Sequence, residues 1–183
     1  EDTLSLHDAL PISLALALRR LGVAVRIVDE NGARTDKSKA LVLWSRSLEL
    51  LDIEAEGFAA AFVAAGRKGK GTRIFAEGKE LVHVDFALAP SAFDFALLIP
   101  QSETERVLET RLQSLGTPVE RLTTLIAFED GPDGVTATLR HADGAAETVR
   151  CDWLIGCDGA HSTVRHGLGL DFAGSAMPGS WML

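Results

Sequence analysis

The run Asp158-Gly159-Ala160-His161-Ser162-Thr163-Val164-Arg165-His166 carries the densest set of ligand-binding residue types in the chain. A carboxylate at Asp158 can accept hydrogen bonds from ribose or ribityl hydroxyls, and Gly159 lets a ligand approach the main chain closely. Ser162 can cap a short helix, and Arg165 offers a charged fork suited to phosphate. The apolar run Trp153-Leu154-Ile155-Gly156-Cys157 just before it reads as a buried strand. An Asp-Gly pair by itself is an ordinary turn. A strand before it, with Ser and Arg at these offsets after it, points instead to a phosphorylated ligand.

A second acid stands at Asp29. Ser13 to Leu21 is an apolar helix with basic residues in its last turn and a stop at Gly22, and Val23 to Asp29 follows as a short strand. Helix, glycine turn and acid-terminated strand form the second half of a dinucleotide-binding βαβ unit, in which the acid binds adenosine ribose. An ordinary αβ unit with a surface aspartate fits the same residues. A glycine-rich turn belongs roughly 20 residues before such an acid. Here that stretch reads Leu6-His7-Asp8-Ala9-Leu10-Pro11, and no glycine precedes Gly22.

The elements between these acids follow from pattern. Residues 31–40 form a polar loop, and a helix starts near Trp44 with Ser45 or Ser47 as cap. Residues 54–65 form an Ala-rich helix, and Arg67 to Gly71 a basic turn. Thr72–Ala76 and Glu80–Phe86 pair as a hairpin. Phe93 to Leu98 is a strand that leads through Pro100-Gln101 into a helix ending at Ser114, with Ser102 and Glu105 spaced as a capping box. Leu122–Glu129, Gly134–His141 and Thr148–Ile155 are three strands joined by Asp-Gly turns, and they feed directly into Asp158.

Gly156-Cys157-Asp158-Gly159-Ala160-His161-Ser162-Thr163-Val164-Arg165 resembles the Gly-x-Asp-Gly-x-x-Ser-x-x-Arg motif of flavin-dependent aromatic hydroxylases, the single-component FAD and NAD(P)H monooxygenases. Lys39-Ala40, Arg46-Ser47-Leu48-Glu49-Leu50-Leu51 and Pro100-Gln101 resemble further stretches of that family. The resemblance implies Asp29 on the adenosine ribose, Lys39 and Arg46 near the phosphates, and Gln101 on the flavin or ribityl chain. It implies Asp158 and Gly159 on ribityl or pyrophosphate, with Ser162 completing the turn. His161 and Arg165 would also meet the phosphates of the nicotinamide cofactor. The family residue at the Lys39 position is usually Arg, and lysine keeps the charge without the bidentate fork. Read without the resemblance, Lys39 is equally a solvated loop lysine and Pro100-Gln101 a plain helix entry.

The fold class expected is α/β: a partial Rossmann-like FAD-binding domain, lacking its first strand and Gly-rich loop, with inserted antiparallel strands. Residues 13–183 make up that partial domain and the start of a substrate-binding sheet. Residues 1–12 resemble the translation of a sequencing-library adapter and are expected to be non-native. The resemblance implies a fragment of an enzyme that uses FAD, NADH or NADPH, and O₂ to hydroxylate an aromatic or polyketide-like substrate. The cofactor carries the hard chemistry, so no catalytic acid, base or nucleophile is assigned. Two other readings stay open: a different flavoprotein oxidoreductase of this fold, or a truncated chain unable to bind FAD.

Composition narrows the classes further. The chain has 183 residues, is 46% hydrophobic and 24% charged, and carries a net charge of -8, which argues against nucleic acid and anionic membranes as partners. Without a signal peptide or a long apolar run, it is expected to be cytoplasmic. Its five histidines show no metal-ligand spacing, so no metal is expected. Cys151 and Cys157 are expected on one strand, roughly 20 Å apart and too far for a disulfide. Oligomeric state is not readable.

Overall fold

The computed structural model describes residues 9–34 and 41–174. These divide into two compact units, one of residues 9–34 with 109–174 and one of residues 41–108.

The first unit opens with α1 (Ala9–Arg20), which buries Ile12, Ala15 and Leu16. The helix starts earlier than the sequence suggests, with Pro11 in its first turn, where a missing N–H costs nothing. Its end is a Schellman motif. Gly22 (φ 79°) donates its N–H to Arg19 C=O, and Val23 donates to Leu18 C=O. Residues 1–8, including most of the adapter-like stretch, lie outside the described residues.

Strand β1 (Ile27–Asp29) is shorter than expected and pairs in parallel with a strand not anticipated from sequence, Val119–Arg121, numbered β7 below. Three strands follow as an antiparallel meander in spatial order β10-β9-β8: β8 (Thr124–Gly131), β9 (Gly134–Arg140) and β10 (Ala146–Cys151). Ala137 and Leu139 of β9 are its buried residues. Arg26 ties the two sheets together, with bidentate bonds of 2.7 and 2.8 Å to Glu120 and of 2.9 and 3.0 Å to Glu147.

One expectation fails here. Residues 153–157 belong to no strand, with Trp153 84% and Ile155 54% exposed. An apolar parallel strand is buried only where neighbours pair with it and helices cover it. Among the described residues, no strand pairs with this run. Cys151 therefore ends β10 while Cys157 lies beyond the sheet, and both thiols are free.

The second unit contains β2 (Val42–Leu43), α2 (Ser45–Glu54), α3 (Phe58–Ala65), β3 (Arg67–Gly69), β4 (Gly71–Ala76), β5 (Lys79–Asp85) and β6 (Ala96–Leu98). β6 sits between β2 and β3, and β4 with β5 forms a separate ribbon. Its core is Leu48, Ala59, Phe62, Phe95, Leu97 and Ile99. Three local readings change. The helix expected over 54–65 breaks at Gly57, whose φ is 76°. The basic "turn" at Arg67 is a strand because its backbone pairs with Leu97 and Leu98. Helix α2 is entered from Trp44 without a side-chain cap, so neither serine caps it. Helix α4 (Gln101–Ser114) spans the boundary of the two units.

Candidate functional site

Asp29 ends β1 directly opposite Arg121, its register partner on β7. The carboxyl ends of paired parallel strands are where open α/β sheets seat nucleotides. Asp29 Oδ1 accepts from the Asn31 backbone N–H at 2.8 Å and from Asn31 Nδ2 at 3.0 Å. Its Oδ2 accepts from Arg121 Nη1 at 2.5 Å. Arg121 also reaches Glu109 on α4 at 3.3 Å, and Arg34 meets the same glutamate at 3.4 Å. The sequence singles out Asp29 as a candidate but not Arg121, Glu109 or Arg34, which the structure links to it. The available signal was Val119-Glu120-Arg121 just after Gly116 and Pro118, too short and polar to read as a strand.

The Asp158 turn folds back on itself. Residues Gly159–His161 make one 3-10 turn, with Gly159 at φ 76°, and α5 (Thr163–Gly167) follows. Asp158 Oδ1 accepts from Ser162 Oγ at 2.6 Å, and Oδ2 accepts from Thr163 N–H at 2.6 Å. Ser162 caps α5, as its position suggested, by accepting from Arg165 N–H at 2.9 Å. Partial burial works against the Asp158 charge, but the Ser162 hydroxyl and the backbone amides outweigh it and hold the carboxyl below its ordinary value. The Cys157 thiol is pushed up by burial and by the neighbouring Asp158.

Arg165 is committed locally. Its Nη2 donates to Ala160 C=O at 2.9 Å and meets His166 Nε2 at 2.8 Å, and its guanidinium stacks 5.1 Å from the Phe172 ring centre. Through Nη2 it braces the turn. His161 is exposed on the 3-10 turn.

In the second unit, Arg46 lies in the exposed first turn of α2 and pairs with Glu49 at 2.9 Å. Ser91 donates to the other Glu49 oxygen at 2.7 Å; with Arg46 it holds that carboxyl below its usual range. Gln101 is buried at the start of α4 and donates from Nε2 to Glu105 Oε1 at 2.6 Å. This bond replaces the anticipated Ser102–Glu105 box: the helix starts one residue earlier, and Pro100 C=O accepts from Glu103 and Thr104 N–H. Lys39 lies outside the described residues. Asp29 and the Asp158 turn share one unit, while Arg46 and Gln101 belong to the other. Among the described residues, no cluster of three metal-ligating side chains occurs, and no helix is long and apolar enough to cross a membrane.

The sequence pattern of the FAD binding domain matches residues 12–182. The chain belongs to this family. It is 37% identical over 170 residues to 6-methylpretetramide 4-monooxygenase of Streptomyces rimosus, covering 91% of this chain and 30% of the relative. It is 33% identical over 159 residues to pentachlorophenol 4-monooxygenase of Sphingobium chlorophenolicum, covering 86% and 29%. Among solved structures, OxyS anhydrotetracycline hydroxylase from Streptomyces rimosus superposes with a TM-score of 0.80 at 35% identity, over 93% of this chain and 34% of that one. The chain thus spans about a third of the length of the proteins it matches. FAD is the cofactor this family implies, and the first unit fits its adenosine end: an oriented carboxylate stands at the carboxyl edge of a parallel pair.

Proposed function

We propose that this chain is the FAD-binding part of a flavin-dependent monooxygenase that hydroxylates an aromatic or polyketide-like substrate with O₂ and NADH or NADPH. The observation that carries the reading is the Asp158–Arg165 turn. Its carboxylate, serine cap and arginine lock together into one preorganised loop. Named monooxygenases align over nearly all of this chain, which supports the same reading.

When bound, FAD supplies the electron transfer and oxygen activation. The residues of the chain bind and orient it. Asp29 holds the adenosine ribose, and Lys39 and Arg46 supply positive charge for the phosphates. Gln101, fixed by Glu105, offers its amide edge to the flavin side. Asp158, with Ser162, holds the backbone of Gly159 to His161 in the shape that faces ribityl and pyrophosphate, and His161 meets phosphate from its exposed position. Arg165 serves by bracing this turn.

The test uses the longer protein that contains this domain, purified and supplied with phenolic and polycyclic phenol substrates under ¹⁸O₂. The expected result is substrate-dependent oxidation of NADH or NADPH with one labelled oxygen in the product. Reduced-cofactor oxidation without labelled product would move the assignment to an oxidase or reductase of the same fold. For the 183-residue chain alone, the exposed 153–157 run favours a second reading, in which FAD is not held stoichiometrically. The purified chain is then colourless, and a yellow one-to-one complex would overturn that reading.

A further inference from the structure

We infer that Arg121 is a positioning residue that turns Asp29 into a reader of a single ribose hydroxyl. The inference rests on Asp29 being the adenosine-ribose acceptor, and it adds how that recognition is limited and what enforces it.

A carboxylate has about four acceptor directions. Three are used within the first unit: two on Oδ1 by Asn31, and one on Oδ2 by Arg121. One direction on Oδ2 is left. A ribose carries two neighbouring hydroxyls, and a fully free carboxylate could accept from both. This one can accept from only one.

Arg121 sets that limit through its geometry. Asp29 and Arg121 are register partners at the ends of adjacent parallel strands, so the backbone delivers both side chains to the same edge. Two further bonds tie that edge together, from Thr123 N–H to Asp29 C=O at 2.9 Å and from Leu122 N–H to Asn31 C=O at 3.2 Å. Both side chains are largely buried, Arg121 16% and Asp29 18% exposed, which favours one fixed geometry over a fluctuating surface pair. The same guanidinium separates Asp29 from the Glu109 carboxylate. Without Arg121 the two acids would face each other unshielded, and Asp29 would swing away.

The experiment is an NMR titration of the longer protein that contains this domain, freed of FAD, with ADP, 2′-deoxy-ADP and 3′-deoxy-ADP, using Arg121→Gln and, as a control on the same strand, Glu120→Gln. In the unsubstituted protein, one deoxy nucleotide should bind about tenfold more weakly than ADP and the other equally well, the loss expected for one hydrogen bond to a charged group. Arg121→Gln should weaken ADP about tenfold and bring the three affinities together. Glu120→Gln should preserve the discrimination. Ligand-free spectra of Arg121→Gln should show the Asn31 side-chain amide displaced as Asp29 is released.

Equal losses for both deoxy nucleotides would overturn the single-hydroxyl inference. Discrimination that survives Arg121→Gln, or an unmoved Asn31 amide, would reduce Arg121 to a structural ion pair while leaving Asp29 as the ribose acceptor. If the unsubstituted protein binds ADP with no perturbation around Asp29, the ribose assignment and the inference fall together.

Discussion

The Ser162 hydroxyl stands between the Asp158 carboxylate and the amide of Arg165, donating to the first at 2.6 Å and accepting from the second at 2.9 Å. One side chain therefore caps α5 and fixes the acid that precedes it. Ser162→Ala removes both bonds at a site only 7% exposed. The expected cost is about 1 kcal/mol, the usual value of a lost cap. Hydrogen exchange at the Arg165 amide should accelerate, while exchange in β9 stays unchanged. Unaltered protection at Arg165 would show that the cap does not hold this helix.

Acid should loosen the same turn. The Asp158 carboxyl lies below its ordinary 3.8 in the folded chain, so the stability it lends is fully present above that value and lost as pH falls through the lower, folded one. Arg26 likewise holds Glu120 and Glu147 below 4.5 through its hydrogen bonds, and the tie between the two sheets weakens over the range below that. A pH titration of the Thr163 amide, which donates to Asp158, should show its midpoint below 3.8 and lose that inflection in Asp158→Asn. A midpoint at or above 3.8 would contradict the hydrogen-bonded carboxylate.

The parts legible in sequence are those whose signals are local. The Asp158 turn, the Ser162 cap, the β4–β5 hairpin and the three-strand meander each depend on turn residues and alternation within about ten positions. Trp153–Cys157 failed because burial of an apolar run is decided by neighbouring strands, which composition does not reveal. Arg67–Gly69 failed in the opposite direction: a basic, glycine-containing stretch became a strand because β6 offered its backbone groups. The environment of Asp29 was invisible for a related reason. Arg121 lies 92 residues away and meets it through parallel pairing, which leaves no periodic trace.

Leu122 should tolerate a substitution that a leucine normally does not. Its φ is 54°, in the left-handed region, and it is 49% exposed. The conformation costs about 1–2 kcal/mol for a residue with a Cβ. A half-exposed leucine contributes roughly 1 kcal/mol of apolar burial, part of it against Gly32. Leu122→Gly should therefore be neutral to within about 1 kcal/mol. Leu139→Ala, at 5% exposure in β9, should cost about 2–5 kcal/mol. Urea midpoints for the pair test the ranking, and a larger loss at Leu122 would mean that its side chain matters more than its backbone.

Gly167 is the point where α5 meets the meander. A Cβ there would lie 2.5 Å from Phe128 Cε1 and 2.8 Å from Cζ, closer than carbon atoms approach. Phe128 sits on β8, paired with Ala137 of β9, and its half-buried ring must turn aside to admit a Cβ. Gly167→Ala should cost about 1–3 kcal/mol, the range for overpacking. The helical preference of alanine over glycine, about 1 kcal/mol, works the other way and sets the lower end. The clash is with one ring, so Phe128→Leu in the same chain should recover most of the loss. In a double-mutant cycle the two changes should couple favourably by about 1 kcal/mol or more. Additive effects would mean that α5 shifts as a unit and the ring contact does not fix its position on the sheet.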